Sequence, residues 1–333
     1  LNEAFFLMRE TAENLLLDAD AIDRERGVIA SEKLARDSLS YRSTVDRLRF
    51  FTEGSKVVNR LPIGIAETIE TMPREEFVSF YRGYYRPENT FIAFIGDVEP
   101  EVAIAKIEEY FGDWKGSGKA VAAPDFGDPV APEGTAPDNP VGETAVLVEP
   151  DLPRSLTFAI MRPWEPVQDT ITYNEGLLMD ALAQSLINRR LEARARGGGD
   201  YLYAQVQQED VSRSTDATFV SFAPLTQDWQ AALEDVRAVI ADATTNPPTD
   251  EELAREISEF EVAFVAGVEE ADVEPGAQIA DTLVNAVDIR ETVASPQTVL
   301  DIFRGMRERV TPQAILERTR KLFDGEVIRG TYV

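Results

Sequence analysis

Residues 116–143, GSGKAVAAPDFGDPVAPEGTAPDNPVGE, hold five prolines and five glycines with few bulky apolar side chains. Proline fixes φ and removes a backbone donor, and glycine weakens helix and strand alike. Such a stretch reads as a linker, kept semi-extended by its prolines. It divides the chain into two globular parts, residues 1–115 and 144–333. The full length of 333 residues, 44% of them hydrophobic, suits two domains that each bury a core.

Hydrophobic periodicity predicts helices over 3–17, 18–40 and 43–51. Residues 59–72 begin as a loop because of Pro62 and Gly64. Pro73 then stands at a first helical position, followed by REEFVSFYRGYY with acids in its first turn. NTFIAFIGD, residues 89–97, is a short apolar run closed by Gly96-Asp97, which predicts a buried strand. Pro100 opens a helix with Ile104, Ile107 and Phe111 on its stripe. The second part predicts strands at 144–150 and 155–163, a helix at 171–196 and a strand pair at 197–210 and 216–224. Helices follow at about 227–244, 249–269, 276–289, 296–309 and 312–323, with a last strand in EVIRGTYV. A faint repeat relates MPREEFVSFYRGYYRPENTFIAFIG to TPQAILERTRKLFDGEVIRGTYV. Each runs proline, amphipathic helix, an aromatic eleven residues on (Tyr84 or Phe323), then strand. The expected fold class is α+β, with two similar domains, each a sheet with helices packed on one face. A lone strand in 1–115 has unpaired backbone on both sides, so the first sheet is expected to be incomplete.

Composition mostly excludes. The net charge of −27, from 60 acidic and 33 basic residues, makes nucleic acid and anionic membrane poor partners. No run of about 18 apolar residues exists, so no membrane-spanning helix is expected. Cysteine is absent, which removes disulfides and thiol chemistry. Histidine is absent too, so Ser-His-Asp and Cys-His catalysis, and any zinc site built from His or Cys, are excluded within the chain. An all-carboxylate calcium or magnesium site stays open, but DADAIDRERGVI fails as a calcium loop. Asp23 stands where glycine is needed and Ile29 where glutamate is needed. The chain begins at Leu1 with no leader pattern, so a processed product, a fragment or an engineered chain is expected.

One stretch breaks the usual pattern. In IDRERGVIASEK, helical spacing puts Ile22, Glu25, Ile29 and Glu32 on one continuous stripe. Such a stripe normally faces a core, and glutamate is rarely buried unless paired or bound. Either the two carboxylates snorkel at the edge or pair with Arg24, Arg26 or Arg36, or they face a cation.

LPIG at 61–64 and FYRGYYRPENTFIAFIGDVEPEVAIAKIEEYFGDW at 80–114 resemble the insulinase/pitrilysin family, the zinc metallopeptidases with an inverted H-x-x-E-H motif. Tyr85, Pro87, Asn89, Gly96, Asp97, Phe111 and Trp114 keep the family's order and spacing. DRERGVIASEK is similar to its second signature, and LINRRLEARARGGGDYLYAQ to the matching segment of its second domain. The form is that of the amino-terminal half of a large, two-halved member. The resemblance implies half-clamshell domains, with 1–115 the carboxy-terminal portion of the zinc-site domain and 144–333 a second domain of the same fold. It implies that Glu32 matches the third zinc ligand and Glu25 a supporting acid. It also implies zinc in the complete protein and hydrolysis of peptides in a closed chamber, with a lean toward a periplasmic or secreted bacterial protein.

The departure from the family concerns activity. H-x-x-E-H supplies two zinc ligands and the general base, and lies about 75–80 residues before the third ligand. Only 31 residues precede Glu32, and no histidine exists anywhere in the chain. This chain alone is therefore expected to bind no zinc tightly and to be inactive, with the remainder supplied by another chain or by further residues. The alternative is a non-catalytic structural or partner-binding subunit of the same family. Among other candidates, GGG at 197–199 lacks the Lys-Ser/Thr of a phosphate loop and reads as a turn. Arg189, Arg190, Arg194 and Arg196 form a basic cluster, either a solvated helix end or a docking surface.

Overall fold

Asp18, Ser38, Thr170, Asp228, Thr249, Ser295 and Thr311 each accept a hydrogen bond from a backbone amide in the helix they precede. These side chains replace the carbonyl partners that a first helical turn lacks. The computed structural model describes residues 1–133, 143–149, 151–325 and 327–333. In chain order it contains α1 (Asn2–Glu13), α2 (Ala19–Arg36), α3 (Leu39–Phe51), α4 (Ala66–Thr71), α5 (Arg74–Tyr84) and α6 (Pro100–Phe111). Then come β1 (Glu143–Val146), β2 (Leu156–Pro163), α7 (Ile171–Arg196), β3 (Tyr201–Val211) and β4 (Thr215–Pro224). The chain continues with α8 (Trp229–Thr245), α9 (Asp250–Glu270), α10 (Gly276–Asp288), α11 (Pro296–Gly305), α12 (Pro312–Leu322) and β5 (Val327–Tyr332). The fold is α+β, of the half-clamshell type.

Contacts gather the residues into two units. Leu1–Asp37, Asn59–Asp125 and Val273–Val293 form one; Ser38–Val58, Phe126–Asp272 and Ala294–Val333 form the other. This grouping is not colinear with the division at 116–143 read from the sequence. Residues 134–142 of that linker lie outside the described residues, as do Pro150 and Glu326 at the ends of two expected strands. The described part of the linker is anchored rather than free. Val121 donates its amide to Gly83 O (3.2 Å), and Phe126 O accepts from the Lys56 amide (2.8 Å).

In the first unit Phe5 is buried among Phe94, Tyr110 and Phe111, with ring centroids 5.7, 5.8 and 6.5 Å away. Tyr81 is buried as well, and its hydroxyl donates to Thr11 O at 2.8 Å. The buried strand expected at 89–97 does not form. Pro87–Asn89 is a single 3-10 turn, and 90–95 runs on without ladder partners, with Phe91 and Phe94 exposed. Its repeat counterpart explains why. α5 and α12 are both 11 residues long, but the segment after α12 is β5, which has a strand on each side. Among the described residues the segment after α5 has none, and backbone without a ladder cannot bury its polar groups.

The second unit carries a five-stranded sheet in the order β1-β5-β2-β4-β3, with β1 parallel to β5 and the other pairs antiparallel. Alternation sorts its side chains. Leu156 and Phe222 pack with Ile187, Leu191, Ala232 and Val236 of α7 and α8. A second core joins α7, α9, α11 and α12 through Leu182, Leu186, Leu253, Phe303 and Ile315. The opposite face is packed as well. Ala159, Met161, Ala217 and Val327 pack against Phe51 and Val57. Arg329 fixes this cover, donating to Phe51 O (3.3 Å), Val130 O (2.8 Å) and Glu53 Oε2 (2.9 Å).

Candidate functional site

The two acids singled out in the sequence both lie on α2. They are separated by seven residues, two turns, or about 10 Å along the helix axis. They therefore lean from the same side but cannot both reach one ion directly. This helix has no buried residue; Ile22 and Ile29 are half-buried, and Val28 and Leu34 are exposed. The stripe that would face a core does not meet one among the described residues. Asp18 starts the helix by accepting from the Asp20 and Ala21 amides at 3.0 and 3.2 Å. Lys33 and Arg36 complement its C-terminal dipole.

Glu32 is half-buried, and its Oε1 lies 2.5 Å from the Arg36 guanidinium, one turn on. Glu25 is exposed and makes no hydrogen bond or ion pair among the described residues. Of the other arginines considered as partners, Arg26 is turned elsewhere. It reaches Ile69 O and Met72 O (2.5 Å) and lies 3.2 Å from Asp23. This ties α2 to α4. Gly27 faces open space, since a Cβ there would meet nothing within 4 Å.

Zinc needs at least three protein donors of the nitrogen, sulfur or carboxylate kind. The described residues contain no group of three or more candidate ligands, and His and Cys are absent from the sequence. The donor set does not make a zinc centre by itself. Glu32 can offer one anionic oxygen once Arg36 turns aside; the described residues bring no second donor to it.

Of the basic cluster, Arg196 at the helix end stays exposed, while Arg189, Arg190 and Arg194 are tied to neighbouring helices. Arg189 Nε donates to Glu256, a fully buried carboxylate that also accepts from Ser185 Oγ at 2.7 Å. Arg190 grips Glu252 through two nitrogens at 2.9 and 3.0 Å. That guanidinium, with the Thr249 backbone amide, holds the Glu252 carboxyl down to about 2. Arg194 bonds Asp235 at 2.6 Å and depresses its pKa, and Arg196 pairs with Glu192. The cluster stitches α7 to α8 and α9. The GGG turn is a turn: the Gly199 amide donates to Arg194 O at 2.9 Å.

Two features escaped the sequence. Arg162 on β2 bonds Thr218 Oγ1 at 2.9 Å and lies near Asp180 and Asp216, whose carboxyls burial pushes up. Desolvation in turn lowers Arg162, against the pull of Asp216, Asp324 and Asp180. A cavity also opens between α8 and the β1–β5 side of the sheet. Its α8 wall is legible as an i, i+4 stripe, but its other wall comes from strands about 70–100 residues away in sequence, which no local pattern reveals.

The chain is similar to proteins already known. The family described as the peptidase M16 inactive domain matches residues 71–260. The probable zinc protease PqqL of Haemophilus influenzae is 22% identical over 324 residues, covering 96% of this chain and 34% of that protein. Probable zinc protease PqqL of Escherichia coli is 27% identical over 109 residues, 33% of this chain and 12% of that protein. The crystal structure of the periplasmic protease PqqL from Escherichia coli matches 99% of this chain with a TM-score of 0.88 at 17% identity, covering 36% of that chain. The chain thus spans about a third or less of the length of these relatives.

Proposed function

The chain belongs to the peptidase M16 family, and on that premise we propose that it is part of a zinc metalloendopeptidase that hydrolyses peptides inside a closed chamber. In this reading residues 1–115 are the carboxy-terminal portion of the zinc-site domain. Residues 116–143 are the connection, and 144–333 form a second domain of the same fold that lines the chamber. Glu32 is the third zinc ligand, and Glu25, too far along the axis to share the ion, is the supporting acid. Arg36 pairs with Glu32 in this chain, and Glu32 would be the residue to offer a carboxylate oxygen to zinc. The remaining ligands and the general base come from residues outside this chain, and peptides are the substrates of the complete protein. A periplasmic or secreted location fits the periplasmic relative.

The observation that carries the proposal is the acid pair on α2: two carboxylates on one side of a helix that buries no residue among those described. The family match favours one alternative, a non-catalytic structural or partner-binding subunit. Its description is that of an inactive domain, and its matched residues, 71–260, leave α2 outside. Cleavage of a quenched fluorescent peptide separates the two. The 333-residue chain alone is expected to be inert. Joined with the residues that bear the H-x-x-E-H motif, it is expected to cleave, and Glu25→Gln is expected to slow cleavage by at least about tenfold while zinc stays bound. A joined protein that folds, carries zinc and cleaves nothing supports the non-catalytic subunit instead.

A further inference from the structure

On the helix-covered face of the second unit lies a cavity of about 880 Å³, within the usual size of small-molecule sites. One wall is a stripe of α8 at four-residue spacing: Trp229, Leu233, Arg237 and Ala241. The facing wall is Phe158 of β2 with Ile328 and Tyr332 of β5. The walls meet at one end, where the Trp229 and Tyr332 rings lie 6.1 Å apart. Beyond that contact α8 packs on β4 and β3, and the lining positions Ala241 and Gly330 are small. Apolar walls in a folded protein ordinarily close on one another.

Arg237 interrupts the apolar stripe. It makes no hydrogen bond or ion pair among the described residues, although the chain has 60 acids for 33 basic residues. Of the acids near it on α8, Asp235 is held by Arg194 and Asp242 by Arg190, and Glu234, three residues before it, makes no ion pair with it among the described residues. Among the described residues, the cavity therefore presents an apolar interior and the exposed Arg237 guanidinium. We infer that it binds a single-chain alkyl carboxylate, the chain lying between Trp229, Leu233 and Ile328 and the carboxylate on Arg237. A neutral or cationic chain would leave the guanidinium without its anion. An extended peptide would need a row of backbone partners, and among the described residues the bordering edge strand β1 offers four. The inference is independent of the peptidase reading, since no residue of α2 enters it.

Titration of the 333-residue chain with monomeric dodecanoate, followed by calorimetry and by Trp229 fluorescence, tests it. Saturable binding is expected, with dodecanol about tenfold weaker and dodecyltrimethylammonium weaker still. Arg237→Gln should weaken dodecanoate by about tenfold and leave dodecanol unchanged. Leu233→Trp, which fills the cavity, should abolish both, and Ala241→Leu serves the same end should that variant not fold. Absence of saturable binding, equal binding of the three amphiphiles, or an unaffected Arg237→Gln overturns the inference. So does displacement of dodecanoate by an apolar peptide amide, or binding confined to anionic phospholipid vesicles.

Discussion

Arg329 sits on β5 at 1% exposure, and it persists there because every side of its guanidinium is used. Two backbone carbonyls and Glu53 accept from it, Glu143 lies 3.5 Å away, and the ring of Phe50 stacks at 5.9 Å. Removing it strands those acceptors under the α3 cover. Arg329→Met is expected to cost about 3 kcal/mol, read as a lower urea midpoint with an unchanged slope. Lysine cannot replace the fork geometry and should rescue little. Gly27 makes the opposite case. It lies in a helix with open space around it, so Gly27→Ala should stabilise α2 by about 0.5–1 kcal/mol, seen as a raised melting temperature. A loss instead would mean that something in the complete protein approaches that backbone closely.

At the scale of elements, α7 is held by its arginines as much as by its leucines. Glu252 is the clearest case, because its carboxyl is held at about 2 against an ordinary 4.5. A depressed carboxyl takes up its proton more readily in the unfolded chain. Its contribution is therefore complete above about 4.5 and is lost as pH falls toward about 2. Arg190→Ala should lower stability by about 1–2 kcal/mol near neutral pH, after allowance for solvent screening, and by less at pH 3. Urea unfolding at the two pH values measures the difference. The two repeat segments offer a second test. β5, paired on both sides, should protect its amides from hydrogen exchange, whereas 90–95, without a ladder, should exchange at rates near those of an open chain. Protection of 90–95 in the isolated chain would mean that the segment finds a partner strand after all.

At the scale of the whole molecule, what the sequence reveals is what is local. The helix at 171–196 was legible to the residue, because its apolar period is long and Thr170 caps it. The strand pair read at 197–210 and 216–224 forms as Tyr201–Val211 and Thr215–Pro224, its start displaced by the glycine turn. The segment at 89–97 has the composition of a strand, but a strand is a pairing, and composition cannot supply the neighbour. The grouping of Ser38–Val58 with the sheet depends on Phe51 and Arg329, 278 residues apart. The cavity likewise depends on α8 meeting β5. The acid pair was legible as a pattern, while its meaning came from family resemblance, since one carboxylate held by Arg36 does not make a metal site. That assignment is the central claim, and zinc content tests it most directly. Elemental analysis would compare this chain, the complete protein bearing the H-x-x-E-H residues, and that protein with Glu32→Gln. No zinc is expected in the first, about one equivalent in the second and none in the third, because an amide brings neither charge nor a good zinc ligand. One equivalent in this chain alone, or in the folded Glu32→Gln protein, would contradict the assignment.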